Sequence, residues 1–453
     1  MLYNIYAPLV EVDAVYNPKP GLAESWDVSP DLKTYTFKLR RGVKFQDGTD
    51  FTAAAVKFHF DRIVDPATKA TVALPYLQSL EVVDDYTVRF NLKSPSVAFP
   101  NVLNERAGLI PSPVAVQKYG QDFGRNPVGA GPFRFVEWLQ DDHITLQRFD
   151  GYYQKGLPYL DQVIFKMIPD SAVLLTNLRS GNVDLMQNPP DADLARLKDS
   201  TELKTQIAPG TTTYQMYINS KRAPFDNKAL RQAVAYAVDR DAIVKGLTFG
   251  LHPVAQGLLN PSSWAYDPNI HPYTRDLEKA KQKLVEGGQP NGFSFELVIP
   301  SNPEYRAYAE AIMGQLAEVG IKAQPRSVSL TEAAGLTGGR DQAYQALAGT
   351  IVARPDPDLA FTDASHSTGG HNYGRYGADA PIIDQLIEKA RATADPAARK
   401  EIYRQLQQTI NDEALDVFFY QRSISAVMSP KVQGYKVVAD SAYRNLPGTW
   451  LQP

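Results

Sequence analysis

Apolar and polar residues alternate with a period of two at residues 33–40 (KTYTFKLR), where Tyr35, Phe37 and Leu39 share one side, which predicts a half-buried strand. The same alternation predicts strands at residues 84–92 (DDYTVRFNL), at 162–168 (QVIFKMI) and over Phe293, Phe295, Leu297 and Ile299. Between them the period lengthens to that of a helix. Val56, Phe60 and Ile63 predict a helix starting near Thr52, and Leu230, Val234 and Val238 predict one long helix over 227–247. A short helix should follow Pro169-Asp170 and stop before Gly181, and 276–286 should be a helix stopped by Gly287-Gly288. Further helices are expected over 304–319, 381–392 and 397–411, the last opened by Asp395-Pro396 as N-cap and first residue. Residues 416–420 and 423–428 should form two closing strands.

Strands and helices interleave without strict alternation, which implies an α/β or α+β chain in more than one lobe. No linker, repeat or low-complexity stretch marks a boundary. With 453 residues and 21% charged side chains the chain is long and ordinary enough to fold around large cores. A formal net charge of −3 leaves no basic excess for nucleic acid, and the absence of cysteine removes disulfides and thiolate chemistry. No apolar run is long enough to span a bilayer, and Met1-Leu2-Tyr3-Asn4 carries neither the basic stretch nor the apolar core of an export signal.

Catalytic motifs are missing. There is no G-x-S-x-G elbow, no phosphate-binding P-loop and no H-E-x-x-H pair. Gly129-Ala130-Gly131 is a fragment of a dinucleotide fingerprint that Pro132 cuts short. His366 and His371 are the only closely spaced histidines, and they read either as exposed loop residues or as a contact for a metal or metal chelate. Asp356 and Asp358 sit in Arg354-Pro355-Asp356-Pro357-Asp358, a loop stiffened by two prolines that suits either ligand binding or simple loop geometry. No cofactor, no metal site and no enzyme activity is expected; a hydrolase on the same scaffold is the alternative.

Residues 18–48 read PKPGLAESWDVSPDLKTYTFKLRRGVKFQDG. Together with NPVGAGPFRF at 126–135, FDGYYQKGLPYLDQVIFKMI at 149–168, LRSGNVDL at 178–185, NKALRQAVAYAVDRDAIV at 227–244 and NYGRY at 372–376, this closely resembles the family 5 (cluster C) solute-binding proteins of ABC importers for peptides, opines and nickel. The resemblance runs over essentially the whole chain. It implies a type II periplasmic-binding-protein fold of α/β class with two hinged lobes. Lobe I would comprise 1–254 with 427–453 and hold an extra subdomain near 28–125; lobe II would comprise 255–426. The implied mechanism is hinge closure on a small peptide or anionic peptide-like solute, which is then delivered to the transmembrane subunits of an ABC permease. A micromolar ligand supplies about 8 kcal/mol for such a closure. A monomer in the periplasm or at the outer side of a membrane is implied, and the start of the sequence suggests an N-terminal truncation.

Ligand contacts are expected from polar and aromatic groups on irregular segments and strand ends: Arg106, Gln215, Trp264, Arg354, Asp356, Asn372, Tyr373 and Tyr420. Arg354 suits a carboxylate, with an ion pair to Asp356 or Asp358 as the structural alternative. Period two places Gln215 on one strand face and sends Tyr214 and Tyr217 to different faces. Dipeptide-binding relatives carry an aspartate where this chain has Ala353, and the 301–305 segment lacks their carboxylate-binding arginine. A plain dipeptide therefore fits poorly. A modified peptide, glutathione-like compound or opine fits better, and a metal chelate would use His371 and Arg106.

Overall fold

The computed structural model describes residues 1–453 except 14–15, 66–73, 75, 256, 271–272, 339–342, 353, 355, 374–380 and 441. His271, Ala353, Pro355 and residues 374–376 of the NYGRY motif thus lie outside the described residues. The chain forms two compact units, one of residues 1–208 and 424–453, the other of residues 209–423.

In the first unit, β1 (Ala23–Val28), β2 (Thr34–Leu39), α1 (Ala53–Val64), β3 (Leu77–Asp84) and β4 (Thr87–Leu92) form a four-stranded sheet of order β1-β2-β4-β3 with one helix on it. The alternation read at 33–40 puts Tyr35, Phe37 and Leu39 in its core. Phe60 of α1 packs edge-on against Phe90, ring centroids 4.8 Å apart, so the helical and strand periods meet at one aromatic cluster. The expected strand at 84–92 is two strands: Asp84 ends β3, and a turn at Asp85-Tyr86 precedes β4. A second sheet joins β5 (Phe133–Leu139), β6 (His143–Arg148) and β7 (Gln162–Lys166). The bend that leads into it crosses the backbone near Ile5 so closely that a Cβ on Gly129 would lie 2.4 Å from the Ile5 carbonyl oxygen. Helix α2 (Ser171–Arg179) starts where predicted, with the Asp170 side chain accepting from the Val173 N–H.

The strand β8 (Leu185–Gln187) leads towards β9 (Lys204–Ile218), in which the chain passes into the second unit. There follow α3 (Lys228–Ala237), α4 (Arg240–Leu247), α5 (Leu277–Glu286), β10 (Ser294–Pro300), α6 (Pro303–Ala317), β11 (Lys322–Val328), α7 (Leu330–Gly338), β12 (Ala346–Val352), α8 (Pro357–Ala364), α9 (Pro381–Arg391) and α10 (Pro396–Glu413). Strand β13 (Asp416–Met428) then carries the chain back, and its last residues pair with β8 in the first unit. The second unit's sheet runs β13-β9-β12-β10-β11, with β10, β11 and β12 mutually parallel and β9 antiparallel to β12.

Side-chain alternation divides the two faces of that sheet. Tyr214, Met216 and Ile218 enter the core under α3–α6, while Tyr217 enters a separate core with Val298, Val328, Tyr344 and Leu347. Two expectations change here. The long helix over 227–247 is two helices, because the Asp239 side chain caps a new start by accepting from Ala242 N–H, and Val238 adopts an extended backbone. The two closing strands are one, β13, in which Gln421 is buried and donates to the Leu259 carbonyl. The compact units divide at 208/209 and 423/424 rather than at 254/255 and 426/427. Residues 209–254 side with the second unit because Leu230, Val234, Val238, Ile243 and Val244 are part of its core, together with Phe295 and Leu297 of β10.

Candidate functional site

In open α/β sheets ligands are met outside the carboxyl ends of parallel strands. In the second unit those ends are Pro300 of β10, Val328 of β11 and Val352 of β12, and the first and last carry the groups described next. Both are followed by helices whose first turns are capped by side chains, Asn302 for α6 and Asp356 for α8. Thr350 joins the two ends. Its hydroxyl lies 3.1 Å from the Tyr305 hydroxyl, and its carbonyl accepts from the Tyr217 hydroxyl at 3.0 Å.

On one side of Thr350 the Tyr214 hydroxyl, placed by the β9–β12 register opposite Thr350, donates to the exposed Glu304 carboxylate at 2.5 Å. Arg422 completes this group, with a guanidinium nitrogen 3.3 Å from the Tyr214 hydroxyl and another 3.7 Å from Glu304. Burial pushes the Tyr214 phenol above its ordinary range, so it remains a donor at neutral pH. Tyr420 lies flat on Tyr214, centroids 4.5 Å apart, and His252 stacks on Tyr420 at 5.4 Å.

On the other side, Arg354 faces Asp363 of α8, nitrogen to oxygen 3.8 Å, with 44% of the arginine side chain exposed. His371 Nδ1 lies 2.8 and 2.9 Å from the two Asp363 oxygens. Burial works against the Asp363 charge, but the His371 hydrogen bond and the Arg354 charge outweigh it and hold the carboxyl below its usual range. The same hydrogen bond raises His371 above the ordinary histidine value. Tyr373 packs edge-on against Tyr217 at 4.9 Å and stays half-buried.

The residues expected from sequence separate into accessible and interior ones. Arg354 and Tyr373 come together on this face. Arg106 is exposed in the first unit, where it opens a 3-10 turn, Arg106–Gly108. Asp356 is interior: Arg399 holds it at 2.7 and 3.3 Å, so its carboxylate is already engaged. Trp264 is a packing residue, edge-on to Tyr403 at 5.8 Å and under the Arg399 guanidinium at 5.1 Å. Gln215 is 1% exposed and donates to Asp416, and Asn372 is buried, donating to the His366 carbonyl. Tyr420 presents its faces to Tyr214 and His252 as described and is buried. Of the acids expected beside Arg354, Asp356 is held by Arg399 and Asp358 by Arg391, while Asp363 lies next to Arg354. His366 is buried against Thr368 and Glu388 rather than exposed. Among the described residues no three His, Asp or Glu side chains converge to hold a metal ion.

Sequence reasoning missed Glu304, Tyr305, Thr350, Asp363 and Arg422. A signal existed for the first two, which directly follow a predicted strand and a capped helix start. Arg422 gave none, because it lies where the two closing strands were separated.

The chain matches the model of the "bacterial extracellular solute-binding proteins, family 5 Middle" over residues 17–373. It is 32% identical over 449 residues to the glutathione-binding protein GsiB of Escherichia coli strain K12, covering 97% of this chain and 88% of that one. The binding protein AgaA from A. tumefaciens R10, solved with agropinic acid, superposes with a TM-score of 0.84 at 30% identity, covering 100% and 94% of the two chains. NikA from Brucella suis, solved with Fe(III)-EDTA, superposes with a TM-score of 0.88 at 25% identity, covering 100% and 95%. With this α/β periplasmic-binding-protein architecture and a match over most of its length, the chain belongs to family 5 of the bacterial extracellular solute-binding proteins.

Proposed function

We propose that this protein captures an anionic, peptide-like solute, of the glutathione or opine kind, and presents it to the membrane subunits of an ABC importer. The observation that carries this reading is Arg354, a half-exposed guanidinium just past the carboxyl end of β12, with the Arg422–Glu304 pair and the partly exposed Tyr305 and Tyr373 rings in the same unit. A guanidinium grips a carboxylate through two parallel hydrogen bonds, the rings cover apolar stems, and Glu304 offers a partner for an ammonium group. Glutathione and agropinic acid, the solutes named for two relatives, are both carboxylic acids and so offer such a guanidinium its anion. The chelate reading draws no comparable support, because His371 is turned to Asp363. The work done is binding followed by hinge closure, with no bond in the solute broken. The protein acts as a monomer outside the cytoplasmic membrane.

Isothermal titration calorimetry with glutathione, agropinic acid, a neutral dipeptide and a nickel–histidine chelate tests this. Glutathione or agropinic acid is expected to bind with a micromolar or tighter Kd. Arg354→Ala should then weaken binding by about 2 kcal/mol, a factor of about 30, the scale of a hydrogen-bonded charge. Tighter binding of the chelate or the neutral dipeptide overturns the reading.

A further inference from the structure

The Arg354 guanidinium already has an anion beside it. Asp363 stands 3.8 Å away, too far for a hydrogen bond, whereas its two oxygens lie 2.8 and 2.9 Å from His371 Nδ1. Asp363 is therefore tightly housed on its far side and only loosely attached to Arg354. The housing is closely packed. His371 N–H donates to the Asp363 carbonyl at 3.0 Å, and a Cβ on Gly369 would lie 2.4 Å from the carbonyl oxygens of Thr362 and Asp363, so only glycine lets the 366–372 loop lie this close to the end of α8. Among the described residues, the charged groups acting on the His371 ring are Asp363 and Arg354; the Tyr373 ring covers it edge-on at 5.6 Å.

We propose that Asp363 is a resident counter-anion that sets the charge specificity of Arg354, and that His371 controls how strongly it competes. This rests on the assignment of Arg354 to the ligand's carboxylate. An arriving carboxylate must take Arg354 from Asp363 and then remain close to the Asp363 charge. A long, half-exposed ion pair contributes little, so it yields to a bidentate contact. What remains is repulsion between the two carboxylates. With His371 protonated, the three groups carry a net charge of +1, and an anion is welcome. With His371 neutral they sum to zero, and only a ligand with strong additional contacts is held. Solutes without an anionic group gain nothing from Arg354 in either state. Because Asp363 raises His371 above its ordinary value, the ring keeps its proton to a higher pH than an unpaired histidine would. Binding of an anion should in turn take up a proton, as linkage requires.

Calorimetry with glutathione between about pH 6 and about pH 8, where its carboxylates stay ionised, tests the proposal. The wild-type protein should bind about tenfold more weakly at the upper pH, less so at high salt. Asp363→Asn should raise affinity at the upper pH about tenfold and flatten the profile. His371→Gln, which keeps a donor to Asp363 without a charge, should bind like the high-pH wild type throughout. Unchanged thermal melts show that the variants are folded. If Arg354→Ala weakens binding about 30-fold but the wild-type profile is flat and Asp363→Asn changes nothing, the counter-anion role is overturned while the ligand assignment stands. If Arg354→Ala binds normally, or neither glutathione nor agropinic acid binds at any pH, both fall.

Discussion

Arg399→Met should destabilise the second unit by about 3–5 kcal/mol, the cost of leaving a buried charge without its partner. Arg399 and Asp356 are nearly excluded from solvent, with side-chain exposures of 8% and 4%. Burial alone would lower the arginine's pKa, but Asp356 more than offsets it and raises the value further. The guanidinium also donates to the Tyr403 hydroxyl at 3.1 Å and lies over the Trp264 ring. Removing it strands the Asp356 carboxylate beside Asp358, whose own pKa burial already raises although Arg391 is bound to it. Urea unfolding followed by tryptophan fluorescence measures the loss. Combining Arg399→Met with Asp356→Asn should recover most of it, because asparagine removes the stranded charge and still caps α8, a contact worth about 1 kcal/mol. An unchanged midpoint in the single variant would show that Asp356 is rehydrated on its own. The same network holds the start of α8, directly after Arg354. Packing and ion pairing here do not merely stabilise the unit; they fix the start of α8, next to the arginine proposed to meet the ligand.

Arg240→Lys should cost about 4 kcal/mol, most of what Arg240→Met costs, although lysine keeps the charge. The Arg240 guanidinium is buried and donates to four carbonyls: Phe418 at 2.7 Å, Tyr273 at 2.8 Å, and Ala235 and Val238 at 3.3 Å each. Burial lowers its pKa to about 10, so it stays charged at neutral pH. Two of these carbonyls belong to the end of α3, where the helix has no N–H of its own to offer, and one belongs to β13. Nε meets the Phe418 carbonyl and Nη1 the other three, and a single ammonium cannot stand at both places, so lysine leaves a buried acceptor unmet. Thermal and urea unfolding of the two variants measures this. Lysine at wild-type stability would mean that water replaces the fork and that the carbonyls are not truly sealed. Hydrogen exchange at the end of α3 should quicken in both variants, since the helix loses its partner to β13 there.

These two arginines mark the limit of what a linear pattern conveys. Both lie in helices or at helix starts that the sequence predicts, and both would pass as surface charges by composition alone. Their burial follows from which helix packs on which strand. The same holds for the candidate contacts. Arg354 and Tyr373 were legible as polar or aromatic groups at irregular segments. Asp356 was chosen on the same grounds and is engaged by Arg399, because α10 brings that arginine from 43 residues away. Trp264 likewise finds Tyr403 rather than open space.

The sequence by itself determined the local elements, wherever side-chain period and capping chemistry act over a few residues. The strand Thr34–Leu39 follows from alternation, and the starts of α2, α5 and α10 from Asp170, Asp276 and Asp395. It also carried the family, through motifs spread along the whole chain. Only the tertiary structure decided that Val238-Asp239 breaks a helical period, that β13 runs unbroken through Gln421 and Arg422, and that Asp363 and His371 meet beside Arg354. The reason is the same in each case. Capping and alternation are energies of neighbours in the chain. The partner that satisfies a buried glutamine, or an exposed arginine's charge, comes from a distant segment that the hydrophobic core brings to it.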